Sequence, residues 1–343
     1  MPPAPQRLQD VGCRRINMKQ GCSQIYNSIG QVLWHSLAAL VLSVVALVAS
    51  AADATVYLLL AGDQSYYQEV SAVLQKALAE QVDGPRVQVY NLTQALQVAP
   101  NSTVVAVGSM ASEFALERFP SANIVSLLMP VAAWDELRSR LPGEGRRAAV
   151  VIDQPLLRSV VLGKLLVPSA QRVGTVFGPI SVANKPQLQS AAQRGGVELI
   201  YADLTNDDNP IAVLAPLVQK ADIFITVADR AAFNKSVAKW LLYLSFRQKV
   251  SVIGFSHSYV KAGALAAVFS SPENIGRHGA ELLMVLLAGR ENTALAAEGW
   301  RTHYPIYYTL AVNREVARSL NIAVPELGAL YGEFQSVLES LRE

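Results

Sequence analysis

Cysteine is almost missing from this chain of 343 residues: there are two, Cys13 and Cys22, both near its start. A cysteine metal cage or a disulfide framework is thereby excluded. Histidine is equally scarce, and His35, His257, His278 and His303 fall at no metal-ligand spacing. Charged residues make up 16% and aromatics 7%, and the formal charge of +2 leaves no basic excess of the kind nucleic acid demands. The signatures of common enzymes are absent as well. There is no G-x-S-x-G elbow, no G-x-x-x-x-G-K-[ST] loop, no H-E-x-x-H pair, and no G-x-G-x-x-G after the first strand. What the chain has in abundance is apolar residues, 51% of the total. That is enough to build packed cores and too much for a disordered chain. The length suits two medium domains.

No Asp, Glu, Lys or Arg lies between Lys19 and Asp53. Arg7, Arg14, Arg15 and Lys19 precede this stretch, an apolar run from Leu37 to Val48 fills it, and Ala49-Ser50-Ala51 ends it. A basic start, a short apolar centre and a small-x-small ending describe a secretory signal peptide. Residues 1–51 are assigned to it, with Ala52 as the expected new N-terminus, Thr55 as the second choice, and Met18 as a possible start. The protein is then expected in the periplasm. The alternative is an uncleaved inner-membrane anchor over residues 29–52, which is long enough to span a bilayer. Cleavage removes both cysteines and turns the balance of +2 to −1, leaving a mature chain that needs no disulfide in an oxidising compartment.

From Thr55 onward, short apolar runs alternate with amphipathic stretches. Val56–Ala61, Arg86–Leu92, Thr103–Val107 and Ile124–Leu128 read as strands, with helical spacing between them. After the polar turn Pro142–Arg147 the pattern restarts, with strands predicted at Ala148–Ile152, Arg172–Phe177, Glu198–Ala202, Ile223–Val227 and Ser251–Phe255. Strand then helix, repeated, predicts a doubly wound parallel α/β sheet. Two such series predict two similar lobes. The surplus consists of strand Ala264–Phe269, helix Pro272–Leu287, strand Ile306–Val312 and helix Arg314–Leu320. It has to complete one or both sheets, so the chain is expected to cross between lobes more than once. Lobe 1 is assigned residues 52–147 plus about 260–292, and lobe 2 residues 148–259 plus about 293–343.

Ligands of open α/β sheets bind beyond the carboxyl ends of the strands. In the first lobe this rule nominates Asp63, Gln64, Ser65 and Tyr66, then Gly108, Ser109 and Met110, then Met129. In the second it nominates Asp153, Ser181, Asp229, Arg230, Ser256 and Tyr259. Gly108-Ser109 opens a helix whose amides suit a carboxylate, or Ser109 is simply a helix cap. Asp229 ends an apolar strand, where it pairs with a ligand ammonium or caps a helix. Tyr66 and Met129 leave room for an apolar or aromatic part. No cofactor or metal is called for, and catalysis is not expected.

Several stretches carry a resemblance. They are Lys164-Leu165-Leu166-Val167-Pro168 leading into Arg172-Val173-Gly174, Ala221-Asp222-Ile223-Phe224-Ile225 through Asp229, and Gly263-Ala264-Leu265-Ala266. Ile275–Ala280, Leu286–Gly289 and Leu310-Ala311-Val312-Asn313 with Ala317, Leu320 and Pro325 follow in order. In this series the chain resembles the substrate-binding proteins of ABC transporters with the type I periplasmic fold, in the group similar to tryptophan/tyrosine-type binding proteins. Residues 148–325 carry it well and the first lobe weakly. The family's "LG" before the last proline is Leu320-Asn321 here, and Gly62–Tyr67 replaces its usual loop after strand one. The resemblance implies two lobes joined by a hinge, a Venus-flytrap that traps a small molecule such as an amino acid or a related organic solute and delivers it to a permease and an ATPase. A periplasmic or membrane-anchored ligand sensor that signals to a receptor is the alternative. By position, Ser109 would receive a carboxylate and Asp229 an ammonium.

Overall fold

The computed structural model describes residues 55–81, 84–141, 145–205, 207–230, 232–288 and 299–341. The signal peptide and anchor readings fall outside them. The described residues form two six-stranded sheets, each covered by helices, matching the expected pair of doubly wound lobes.

The first sheet is built from β1 (Thr55–Leu60), β2 (Arg86–Asn91), β3 (Thr103–Val107), β4 (Asn123–Met129), β5 (Arg146–Val151) and β11 (Gly299–His303), in the order β11-β5-β4-β3-β1-β2, all parallel. Its central strands are apolar on both faces because each face is covered. Val56, Leu58 and Leu60 enter one core with α1 (Ser65–Ala79) and α9 (Pro272–Leu287). Leu59 enters the other, with α2 (Ser109–Arg118) and α3 (Val131–Arg140). The period of two along a strand makes this division.

The second sheet contains β6 (Arg172–Phe177), β7 (Glu198–Asp203), β8 (Ile223–Ile225), β9 (Ser251–Gly254), β10 (Ala266–Phe269) and β12 (Thr309–Val312), in the order β12-β10-β9-β8-β6-β7. β12 runs antiparallel to β10, and the rest are parallel. The helices of this lobe are α4 (Leu156–Leu166), α5 (Lys185–Arg194), α6 (Pro210–Lys220), α7 (Lys235–Gln248), α8 (His257–Ala262), α10 (Arg314–Ser319) and α11 (Leu327–Ser340). α7 starts four residues later than its apolar pattern suggests, because the Asn234 side chain accepts from the amides of Ser236 and Val237 and fixes the cap there.

The division of the chain differs from the one drawn on the sequence. The boundary at 147/148 falls inside the first sheet. Ala148 and Val150 pack in one of its cores, and Ala149 and Val151 in the other. Arg146 and Arg147, from the polar stretch that suggested a boundary, already belong to β5. β10, assigned to lobe 1, lies in the second sheet, and β11, assigned to lobe 2, closes the first. β11 reads GWRTH and offers no apolar run for sequence to recognise. The chain therefore crosses between lobes three times, at residues 152–155, 270–271 and 304–308.

Candidate functional site

The carboxyl ends of strands from both sheets meet at these crossings around a cavity of about 300 Å³. From the first sheet come Leu128, Val131, Ile152 and Asp153. From the second come Thr226, Val227, Ala228, Phe255, Ser256 and Phe269, and the base of α5 adds Asn184 and Gln187. Tyr304 arrives on the third crossing. The wall is mostly apolar with a few polar groups, as small-molecule sites are.

Among the described residues, Asp153 is the one charged side chain in this lining. Its Oδ2 accepts from the amide of Val131 at 2.7 Å, at the start of α3. Burial is the main influence on it, raising its pKa above the ordinary carboxylate value, and the Val131 bond and its own amide only partly offset this. Tyr304 is likewise shifted upward by burial.

The crossings are tied together beside the cavity. Gln154 Nε2 donates to Ser270 Oγ at 2.9 Å, and Ser270 Oγ donates to the carbonyl of Tyr307 at 2.6 Å. Arg158 Nη1 donates to Gln154 Oε1 at 2.5 Å and to the carbonyl of Pro305 at 2.8 Å. Its guanidinium lies 4.4 Å from the Tyr308 ring centroid.

Of the residues nominated from sequence, Asp153 and Ser256 line the cavity. Asp229 does not: it is 4% exposed, and its Oδ2 accepts from the amides of Ile180 and Ser181 and from Ser181 Oγ, while Oδ1 accepts from the amide of Ala232. It braces the loop after β6, and Ser181, fully buried, belongs to the same brace, accepting from the amide of Gly178. Arg230 points to solvent. The strand-end rule failed here by a few residues. β8 ends at Ile225, so the positions that reach the cavity are Thr226–Ala228 and not Asp229.

Tyr259 and Met129 are core residues. Tyr259 packs on Phe255 with ring centroids 5.0 Å apart inside lobe 2, and its hydroxyl is pushed upward by burial. Met129 is fully buried with Trp134 in lobe 1. Asp63, Gln64, Ser65, Tyr66, Gly108, Ser109 and Met110 lie at the carboxyl ends of β1 and β3, on the same edge of the first sheet but outside the cavity. Asp63 accepts from Asn91 Nδ2 at 3.0 Å, holding β1 to β2. Gln64 is the backbone cap of α1, which Ser65 begins. Tyr66 stands edge-on to Tyr67, whose hydroxyl is raised to about 12 by burial and by the Tyr66 bond. Gly108 rather than Ser109 caps α2, at φ 96°, and a Cβ there would come within 2.7 Å of the Tyr67 ring. Met110 is 65% exposed.

The family model described as ABC transporter substrate binding protein matches residues 146–330, more than half of the chain. The chain belongs to that family. Solved structures show the same fold. One is a conserved domain protein from Vibrio cholerae, 19% identical, covering 82% of this chain and 98% of its own, with a TM-score of 0.51. Another is a domain from Streptococcus pneumoniae in complex with L-Trp, 16% identical, with coverage of 82% and 98% and a TM-score of 0.53. A third is the ligand-free, open substrate-binding protein CD0873 from Clostridium difficile, 17% identical, with coverage of 79% and 96% and a TM-score of 0.58. A search of the curated proteins returns no match. The type I periplasmic binding fold thus holds for this chain. Among the described residues of this substrate-binding protein, no helix is long and apolar enough to cross a membrane.

Proposed function

We propose that this protein is exported, traps a small organic solute bearing an ammonium group between its lobes, and hands it to the permease and ATPase of an ABC transporter. The observation that carries this reading is the cavity at the crossings, whose only charged lining side chain is the carboxylate of Asp153. A carboxylate removed from water without a countercharge is costly, and a cationic ligand supplies that countercharge. With no Lys, Arg or His among the described residues of the lining, a solute of net negative charge finds no partner there. An amino acid or an amine with an apolar body fits the wall of Leu128, Val131, Ile152, Phe255 and Phe269. Its hydroxyl, amide or carboxylate part would take hydrogen bonds from Ser256, Asn184 and Gln187. Three crossings make a hinge, and ligand held by both lobes shifts an open–closed equilibrium toward the closed form that a transporter reads.

The test is thermal unfolding against a panel of amino acids, the matching decarboxylated amines and the matching deaminated acids. A ligand at 100 times its Kd, bound only to the folded state, adds about 2.7 kcal/mol. At roughly 2–4 °C per kcal/mol the midpoint rises by several degrees. Amino acids or amines should raise it and the acids should not. A panel in which only the acids raise it removes the ammonium reading, and one in which nothing does removes the solute-binding reading.

A further inference from the structure

Lobe 2 carries a second surface, whose lining shares no residue with the cavity. Helix α7 turns Trp240, Tyr243 and Phe246 outward, 43%, 50% and 62% exposed. Spacings of three place them on one side of the helix, opposite the buried Val237, Leu241 and Ser245. Trp240 and Tyr243 meet edge-on at 5.9 Å, and the Arg247 guanidinium sits 5.9 Å from the Tyr243 ring. Beside them a groove of about 690 Å³ runs between α7, α8 and α10, floored by Phe233, Ala238, Leu242 and Val316 and rimmed by Lys235 and Lys239.

The charge here has one sign. No Asp or Glu occurs between Asp229 and Glu273, while Arg230, Lys235, Lys239, Arg247, Lys249 and Lys261 all fall in that stretch. The nearest acid on the elements framing the groove is Glu315 of α10, flanked by Arg314 and Arg318. A solvated helix face normally carries mixed charge and few rings. One that combines exposed Trp, Tyr and Phe with unopposed lysines and arginines matches a bilayer surface. There, aromatic rings sit at headgroup level and basic side chains meet lipid phosphates.

We propose that this face of α7 docks on a lipid bilayer bearing anionic headgroups, holding lobe 2 against the membrane in which a transporter would sit. This docking is independent of what the cavity binds. Lys235, Lys239 and Arg247 meet the headgroups, and the three rings enter the interface.

The experiment uses the full chain carrying Trp34→Phe, with vesicles of phosphatidylglycerol and phosphatidylcholine or of phosphatidylcholine alone, both with brominated acyl chains. The readout is quenching specific to Trp240, obtained by difference from a variant that also carries Trp240→Phe. That difference removes the signal of Trp134 and Trp300, which pack on each other in lobe 1. It also keeps any vesicle binding by the apolar N-terminal run from being counted. The expected result is Trp240 quenching on the anionic vesicles that weakens at high ionic strength. It should be lost in the K235E/K239E/R247E variant, which keeps the parent's thermal midpoint because all three side chains are exposed. Equal quenching on phosphatidylcholine, or none on either vesicle, overturns the proposal. So does a Trp240 spectral shift produced by a Glu/Leu-rich helical peptide with no vesicle response, which gives the face to an acidic protein segment.

Discussion

Gln154 and Ser270, 116 residues apart in sequence, are joined by a 2.9 Å hydrogen bond from Nε2 to Oγ. This bond fastens the first crossing between the lobes to the second, and Ser270 passes the connection to the third through the carbonyl of Tyr307. Both ends of the Gln154 amide are used, since its Oε1 accepts from Arg158. The hinge is thus a hydrogen-bonded unit next to the cavity, and Gln154 and Ser270 also line that cavity.

Replacing Ser270 with Ala leaves the Gln154 amide without its acceptor and the Tyr307 carbonyl without its donor. Partly buried groups left unmatched cost about 1–3 kcal/mol. Urea unfolding should show a lower midpoint of that size with an unchanged slope.

Asp153→Asn removes the charge but keeps an oxygen for the Val131 amide, so α3 retains its cap. A hydrogen bond to a charged group contributes roughly 1.5–3 kcal/mol, or about 10–100-fold in Kd. Isothermal titration with the amine or amino acid found in the panel should show that loss, with the thermal midpoint of the unliganded protein nearly unchanged.

Asp229→Ala should behave in the opposite way. It strips an acceptor from the amides of Ile180, Ser181 and Ala232, and stability should fall by about 3–5 kcal/mol, as when one partner of a buried charged network is removed. Any residual folded protein should bind ligand with near-normal affinity by titration. A selective loss of affinity in a stable Asp229→Ala protein would return Asp229 to the site.

The pair His278 and His303 gives the fold a pH dependence. Their rings stand 6.3 Å apart, edge to face, and neither His278 Nδ1 nor His303 Nε2 has a hydrogen-bond partner among the described residues. Burial, and then the neighbouring His303, lower His278 from 6.5 to about 4, against a smaller opposing pull from Glu281. The folded state thus favours the neutral ring, while the unfolded chain takes up a proton near the ordinary value. Stability is fully present above pH 6.5 and is lost as the pH falls toward 4, by roughly 3 kcal/mol. The difference between wild-type and His278→Leu unfolding curves, recorded from pH 7 to pH 4, should isolate that loss.

The alternation of apolar runs and amphipathic stretches made both lobes legible, because a parallel sheet covered on both faces leaves its mark on every central strand. Of the edge strands, β2, β7 and β12 were read from their runs, and β11 was not. β11 is short, polar and brought in from 150 residues away, so nothing local marks it as a partner of β5. The lining of the cavity was legible where a strand ends close to its expected place, as β5 does at Val151 before Asp153, and illegible where the end moved further, as at β8, which stops at Ile225 rather than Val227. Tyr304, Ser270 and Phe269 escaped notice because a crossing becomes part of a cleft only through tertiary arrangement. Asn321 makes the opposite point. It stands where the resembled family has glycine, and its φ of 56° shows why. The turn after α10 needs the left-handed region, which asparagine tolerates better than other side chains.

The placement of β11 also bears on how the molecule is made. Translation delivers β1 to β5 early, yet the outer edge of β5 finds its partner only once residue 303 of 343 has been synthesised. Until then the first lobe carries an open strand edge, the kind of feature that invites wrong pairing. The second lobe waits for β12 in the same way. Each sheet closes only when its last strand arrives from near the end of the chain, so the two lobes mature together.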